Sequence, residues 1–236
     1  MHNARQHKLR DRIRSVLRGL SGTIWPHTCC LCGRPLQHGE ELMCLKCLVD
    51  IPRLRSDGQL TYVGVPSNTI RIISWFSYNH DDPSHRLIHA IKYHDGYRLA
   101  RRLGREFADQ KAIGSPTPDI LLPIPLHRIK YVARGYNQSA RIAAGISDVT
   151  GIPVGSHLYA KKAHASQTQR NRHERLENVR DIFGVRKAAT LDGKHIALVD
   201  DVITTGATMI SALETILAAS SPASVTFLSL ARANQL

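Results

Sequence analysis

The sequence has no apolar run approaching the roughly 18 residues that a membrane span needs. Its amino-terminal stretch is basic, but Arg12, Arg14 and Arg18 interrupt it, which argues against the apolar core of a secretory signal. Acid is scarce as well. Nineteen Asp and Glu face thirty-two Lys and Arg, a net charge of +13. That balance suggests polyanionic partners: nucleic acid, phosphorylated metabolites or an anionic membrane surface. A solvated basic face with no particular partner is the plainer alternative. Cysteine is missing everywhere outside Cys29–Cys47, so no disulfide framework runs through the chain, and a reducing, cytoplasmic location is expected. The GxxxxGK[ST] phosphate loop is absent: Gly193-Lys194 is followed by His195 and has no partner glycine. No Ser-His-Asp or Cys-His signature calls for a covalent nucleophile, and there is no internal repeat or low-complexity tract.

What is present describes a globular protein, with 42% hydrophobic and 22% charged residues. Its 236 residues suffice for one core and a small appendage. The pattern predicts a basic amphipathic helix over 4–20 within an amino-terminal segment 1–24, a cysteine module over 25–55 and a main domain over 56–236. In the main domain, 56–68 reads as a linker or early hairpin. Strands are predicted at 70–78, 119–123, 195–199 and 224–231, and helices at 84–93, 97–110, 137–149 and 207–219. Strands alternating with helices imply an α/β domain with a parallel sheet covered on both faces. Residues 166–177 are polar and basic and read as a mobile loop.

The cysteines pair as Cys29-x-x-Cys32 and Cys44-x-x-Cys47. Each pair forms a knuckle that aims two thiolates at one point, and two knuckles complete a tetrahedral site suited to structural Zn²⁺. Cys30 is an alternative to Cys29, although the CxxC register favours Cys29. His27 and His38 read as solvated residues rather than ligands.

The most informative segment is HIALVDDVITTGAT, 195–208. An apolar strand ends in Asp200 and Asp201. A short loop, Thr204, Thr205, Gly206, Ala207 and Thr208, then opens onto a helix. A loop between the carboxyl end of a parallel strand and a helix N-terminus is where such sheets bind anions. Free backbone N–H groups and threonine hydroxyls donate, and Gly206 permits close approach. The acids would repel a phosphate. They suit ribose hydroxyls, the hydration shell of Mg²⁺ or a developing positive charge. Sugar hydroxyls and a phosphate on one loop describe a ribose 5-phosphate.

Residues 195–207 resemble the phosphoribosyl-diphosphate (PRPP) motif of type I phosphoribosyltransferases. The resemblance implies that Asp200 and Asp201 contact the ribose hydroxyls and that Thr204–Thr208 hold the 5-phosphate. Three further segments occur in order ahead of it: LIHAIKYHDGYRLARRLG, LLPIPLHRIKYVARGYNQSARIA and QTQRNRHERLENVRDIFGV. With the CxxC pairs they resemble the ComF/GntX family, which includes the ComFC-type competence proteins. That likeness covers roughly residues 25–232. It implies a zinc-ribbon module ahead of a type I phosphoribosyltransferase-fold domain. It also implies a role in uptake or processing of single-stranded DNA in natural competence, with a competence helicase or channel protein as candidate partner. Two alternatives stand beside that role: an active phosphoribosyltransferase of nucleotide metabolism, and a non-catalytic PRPP-sensing regulator.

Physical reading of the middle segments adds candidates. Residues 122–128 should form a loop facing the pyrophosphate, with Arg128, Lys130 and Arg134 supplying positive charge; the plainer reading puts Lys130 and Arg134 on a solvated face. Asn137 is either part of the site or a helix N-cap. Gln169, Arg172, Arg175 and Asn178 could close over a ligand, or belong to an ordinary basic loop. Lys92, Arg101 and Arg102, interleaved with Tyr93, Tyr97 and Tyr136, are the nucleic-acid candidates, unless the tyrosines are core.

Overall fold

The computed structural model describes residues 28–93, 96–111, 113, 116–161 and 182–233. The helix expected at 4–20, the loop expected at 166–177 and the four candidate flap residues lie outside the described residues. The chain divides into two compact units, Met1–Asp50 and Ile51–Leu236.

In the first unit a turn and two isolated bridges, Thr28 with Pro35 and Glu41 with Met43, fold the chain back on itself. Helix α1, Leu45–Asp50, follows and has no buried residue. The unit's buried side chains include Cys29, Met43 and Cys44. So small a cluster supplies little hydrophobic stabilisation, which is the usual reason for a metal staple.

The second unit is built on a five-stranded sheet in the order β1-β2-β7-β6-β3. Its strands are β1 (Gly58–Thr61), β2 (Thr69–Tyr78), β3 (Ile120–Pro123), β6 (His195–Ile203) and β7 (Ser224–Ala233). Only β1 runs antiparallel, joined to β2 by a hairpin; β2, β7, β6 and β3 are mutually parallel. The hairpin reading of 56–68 is the one the structure adopts. A separate two-stranded sheet pairs β4 (Leu158–Ala160) with β5 (Phe183–Val185).

Strand β6 sits between two parallel neighbours, and Ile196, Ala197, Leu198 and Val199 are fully buried. That is why HIALV reads as a continuous apolar run rather than an alternating one. The strand does not stop there. It runs four residues beyond the predicted end, through the acid pair to Ile203, because Asp200, Val202 and Ile203 keep their partners on β7.

Helices cover both faces. Helix α6 (Ala207–Leu217) buries Met209, Ala212, Leu213 and Ile216 against Ile196, Leu198 and Phe227, with Leu158 and Phe183 of the two-stranded sheet in the same core. On the other face Phe107 of helix α3 (Gly96–Gln110) packs against Trp75. Helix α3 lies along α5 (Gln138–Thr150) at unusually close range. A Cβ on Gly104 would stand 2.3 Å from the Ile142 carbonyl oxygen, and one on Gly145 would stand 2.0 Å from that of Arg101. Helix α2 (Pro83–Ala90) opens with proline in its first turn, where the missing N–H costs nothing. Helix α4 (Arg128–Arg134) replaces the end of the expected loop. The loop proper is 124–127, and His127 caps the helix by accepting from Ile129 N.

Candidate functional site

The site is built around one turn, Gly135–Ser139. Gly135 ends α4 with φ of +78°, the left-handed conformation glycine adopts at no steric cost. Four consecutive side chains then fix four different neighbours. Tyr136 is buried and its Oη donates to the Ile91 carbonyl at 2.8 Å. Asn137 caps α5, accepting from Ser139 N at 3.0 Å, while its Nδ2 donates to the Ile124 carbonyl at 2.9 Å. Gln138 accepts from Arg134 Nη1 at 3.1 Å. Ser139 Oγ donates to Asp200 Oδ1 at 2.7 Å. Asn137 is therefore the N-cap, and RGYNQ is the frame of the acid pair.

Asp200 and Asp201 lie near the carboxyl end of β6, both buried. Asp200 Oδ1 also accepts from Asp201 N at 2.9 Å. Burial first, and the neighbouring Asp201 carboxylate second, push the Asp200 carboxyl up to about 8; the Ser139 hydroxyl works in the opposite direction. Asp201 faces a different partner. Lys92 Nζ stands 3.0 Å from Asp201 Oδ2 as an ion pair, without the alignment of a hydrogen bond, so that buried oxygen has no hydrogen-bond partner among the described residues. Lys92, expected on a nucleic-acid face, is thus held at the acids.

Beyond Ile203 the chain leaves the sheet. Thr204, Thr205, Ala207 and Thr208 are exposed, and Gly206 takes φ of +75° at the N-cap of α6. No side chain caps the helix from that position. The loop is exposed at the N-terminus of an eleven-residue helix, where the Ala207 N–H donates to Thr205 Oγ1 at 3.4 Å.

The candidate cations are distributed unevenly. Arg128 and Lys130 are exposed on α4, a helix with no buried residue. Arg134 is half-buried over the Tyr93 ring, 5.6 Å from its centroid. Arg101 donates twice to Asp148, at 2.8 and 2.7 Å, and Arg105 donates to the same carboxylate at 2.7 Å. These bonds hold the Asp148 carboxyl below the usual carboxylate range and staple α3 to α5. Arg102 pairs with Glu106 one helical turn on, at 2.7 Å. Tyr93 and Tyr97 are exposed, whereas Tyr136 is core.

In the first unit Cys29, Cys32, Cys44 and Cys47 bring their sulfurs within 4.8 Å of one another, an arrangement that can hold a metal ion. Cys32 and Cys44 Sγ are 3.8 Å apart. Tetrahedral Zn²⁺ with Zn–S bonds of about 2.3 Å requires edges of about 3.8 Å, so the donors fit that ion. Backbone N–H groups of Leu31 and Cys44 point at Cys29 Sγ and that of Cys47 at Cys44 Sγ, each at 3.4 Å, which favours thiolate. Cys30 is exposed and outside the cluster, as is His38.

Two functional candidates were not legible in the sequence: Ser139 as the donor to Asp200, and Lys92 as the counter-ion of Asp201. Their signal was the RGYNQS and IKY words themselves. Only the folded turn shows which acid each one serves.

Comparison with known proteins bears on the fold. Residues 136–236 match the phosphoribosyl transferase domain family. That match and the mostly parallel sheet assign the second unit the type I phosphoribosyltransferase fold. The chain is 27% identical over 187 residues to DNA utilization protein YhgH of Salmonella typhi, covering 77% of this chain and 74% of that one. It is 26% identical over 222 residues to Competence protein ComFC of Bacillus subtilis, covering 93% and 82%. Among solved structures, the glutamine PRPP amidotransferase of B. subtilis, complexed with ADP and GMP, aligns with 20% identity and a TM-score of 0.40. That alignment covers 56% of this chain and 26% of the amidotransferase, so the chain spans about a quarter of that enzyme. No helix among the described residues is long and apolar enough to cross a membrane.

Proposed function

For a homologue of the ComFC and YhgH proteins that carries a phosphoribosyl transferase domain, we propose that residues 195–208 bind PRPP with Mg²⁺ and that the protein serves uptake or processing of single-stranded DNA in the cytoplasm. The observation that carries the first half is the order of groups along β6 and α6. Two buried acids are followed within seven residues by a largely exposed Thr-Thr-Gly-Ala-Thr loop at the N-terminus of α6. The loop offers N–H and hydroxyl donors to a 5-phosphate, and the acids offer acceptors to ribose hydroxyls.

The acid pair fits a hydrated divalent cation. Among the described residues Asp201 Oδ2 is a buried oxygen with no hydrogen bond, and the Lys92 ammonium stands 3.0 Å from it. When bound, Mg²⁺ would neutralise charge on the pyrophosphate. Among the chain's own residues, Ser139 orients Asp200, the turn at Gly135–Ser139 fixes that serine, and Arg128, Lys130 and Arg134 supply positive charge for the diphosphate from the neighbouring helix. Zn²⁺ on Cys29, Cys32, Cys44 and Cys47 holds the first unit together. The DNA role rests on the competence and DNA utilization proteins among the relatives and on the net charge of +13.

Calorimetry with PRPP and Mg²⁺ tests the ligand. Wild type should bind saturably, and Asp201→Asn should bind at least tenfold more weakly; wild type that releases no heat on PRPP addition overturns the reading. Pyrophosphate release would separate an active transferase from a PRPP-binding regulator. Transformation frequency after deletion of the gene tests the role, and an unchanged frequency would count against DNA uptake.

A further inference from the structure

We propose that Lys92 is a resident counter-ion that exchanges Asp201 for ligand phosphate: its ammonium neutralises the carboxylate in the free protein and gives it up when a divalent cation arrives. The inference rests on the reading of 195–208 as a ribose-phosphate site and adds a binding residue to it.

Asp201 is buried, and an isolated carboxylate there would be costly. The described structure gives its Oδ2 one cation, Lys92, and no hydrogen bond. On the other side stands Asp200, whose carboxyl is held by Ser139 and by Asp201 N. In the free site one ammonium answers the Asp201 carboxylate, and Asp200 beside it has its own donors. A divalent cation on the same oxygen would compete with the ammonium for it and repel it. A diphosphate ester arriving with the cation carries the negative charge to which the ammonium can turn.

The geometry allows the move. The backbone at Lys92 is fixed, because Ile91 is fully buried, its carbonyl accepts from Tyr136, and Lys92 N donates to the His89 carbonyl at 3.0 Å. The side chain is a quarter exposed, so it is not locked into the core. Its four-carbon stem can swing without moving the chain, and its three rotatable donors suit phosphate oxygens as well as a carboxylate. The pair also lacks hydrogen-bond alignment, so less is lost when it opens than in an aligned pair.

The two arms of the exchange have opposite signs. Removing the ammonium frees Asp201 for a cation and removes a donor from the phosphate. In the zinc-loaded full chain, Lys92→Met should bind Mn²⁺ alone roughly tenfold more tightly than wild type, read by electron paramagnetic resonance, the size expected of a coupling between two ligands of one group. It should bind PRPP with Mg²⁺ several-fold more weakly, read by calorimetry. Lys92→Arg should stay near wild type in the Mn²⁺ arm, and Lys92→Met/Asp201→Asn should lose the Mn²⁺ gain. Folded Lys92→Met with unchanged or weaker Mn²⁺ binding overturns the counter-ion, and unchanged PRPP affinity overturns the hand-over. Should wild type fail to bind PRPP, the ribose-phosphate reading falls while the Mn²⁺ arm still decides the counter-ion. Should Lys92→Met not fold, the Lys92 ¹³Cε resonance of wild type decides instead: it shifts on Mg²⁺ titration if the ammonium leaves Asp201, and a static resonance overturns the proposal.

Discussion

Ser139 Oγ and Asp200 Oδ1 meet at 2.7 Å across 61 residues of sequence, and this bond joins the first turn of α5 to β6 near its carboxyl end. The same turn anchors Ile91 through Tyr136, and Ile91 precedes the lysine that faces Asp201. One five-residue turn therefore governs the surroundings of both acids, one by direct donation and the other through the backbone that carries Lys92.

Ser139→Ala should destabilise the protein by about 1–3 kcal/mol, the usual cost of depriving a buried acceptor of its donor. Asp200 would keep only the Asp201 N–H on Oδ1, and its carboxyl would be pushed further up. Urea unfolding checks this through the midpoint. An unchanged midpoint would mean that Ser139 contributes nothing to the frame.

The Asp200 carboxyl yields a pH prediction with a definite sign. Burial and the Asp201 charge raise it to about 8 in the folded protein, well above its unfolded value. The folded state thus holds its proton longer than the unfolded chain. The stability that this supplies is complete below the unfolded value of about 4 and is lost as pH rises through about 8. Asp200→Asn cannot ionise, yet its Oδ1 can still accept from Ser139. Its melting temperature should therefore gain on wild type as pH rises from 5 to 9 in the absence of divalent cations. Parallel curves for the two proteins across that range would refute the assignment.

Much of the parallel sheet was readable because β6 and β7 are buried on both faces and so spell apolar runs. The extent of β6 was not. Two aspartates look like the end of a strand, and only pairing with β7 shows that the ladder continues to Ile203. Helix α4 was missed for the complementary reason. It buries nothing, so no apolar stripe announces it, and its boundaries rest on a His127 cap and a left-handed Gly135. The short strands β4 and β5 have three residues each, too few to show a period. The cysteine cluster was legible in full, since CxxC spacing is itself a geometric constraint. The long-range partners of the acids were not, because nothing local to Lys92 or Ser139 points to residues more than sixty positions away.

The α3–α5 contact predicts a sensitive glycine. A Cβ at Gly145 would meet the Arg101 carbonyl oxygen at 2.0 Å, and backbone cannot yield as a side-chain tip can. Gly145→Ala should cost about 1–3 kcal/mol despite its better helix propensity, because overpacking outweighs the fraction of a kcal/mol gained. Gly151→Ala is a contrasting control. It has open space but φ of +73°, so its cost comes from backbone strain alone. Thermal melts of both variants check the ranking. The shift of α5 in Gly145→Ala should also weaken PRPP binding, whereas Gly151→Ala should leave it intact.

Metal removal should separate the two units. Purified protein should contain one zinc per chain by elemental analysis. Cys29→Ser and Cys44→Ser should lose it, and Cys30→Ser should retain it, since Cys30 lies outside the sulfur cluster. Chelation should abolish protection from hydrogen exchange over residues 28–50 and leave that of β6 and β7 in place. Retention of full metal by Cys29→Ser would transfer the ligand role to another residue.

The distribution of arginines predicts which of them touch a polyanion. Arg101 spends two guanidinium donors on the Asp148 carboxylate, which Arg105 shares, so they are not free for a phosphate and its removal loosens the α3–α5 staple. Arg128 and Lys130, proposed above for the diphosphate, are exposed on α4 beside exposed Ile129, Tyr131 and Val132. The same cations would also suit the phosphates of a single strand, with the Tyr131 ring as a stacking surface. Binding of a labelled oligothymidylate, followed by fluorescence anisotropy over a salt series, reads the number of phosphates contacted. Arg128→Gln/Lys130→Gln should flatten the log–log salt dependence by roughly one phosphate per cation removed. Arg101→Gln should leave the slope near wild type and lower the melting temperature instead. A slope indifferent to Arg128 and Lys130 but sensitive to Arg101 would favour α3, which carries the sequence candidates Arg101 and Arg102, and would mean that Asp148 gives up its arginine when DNA binds.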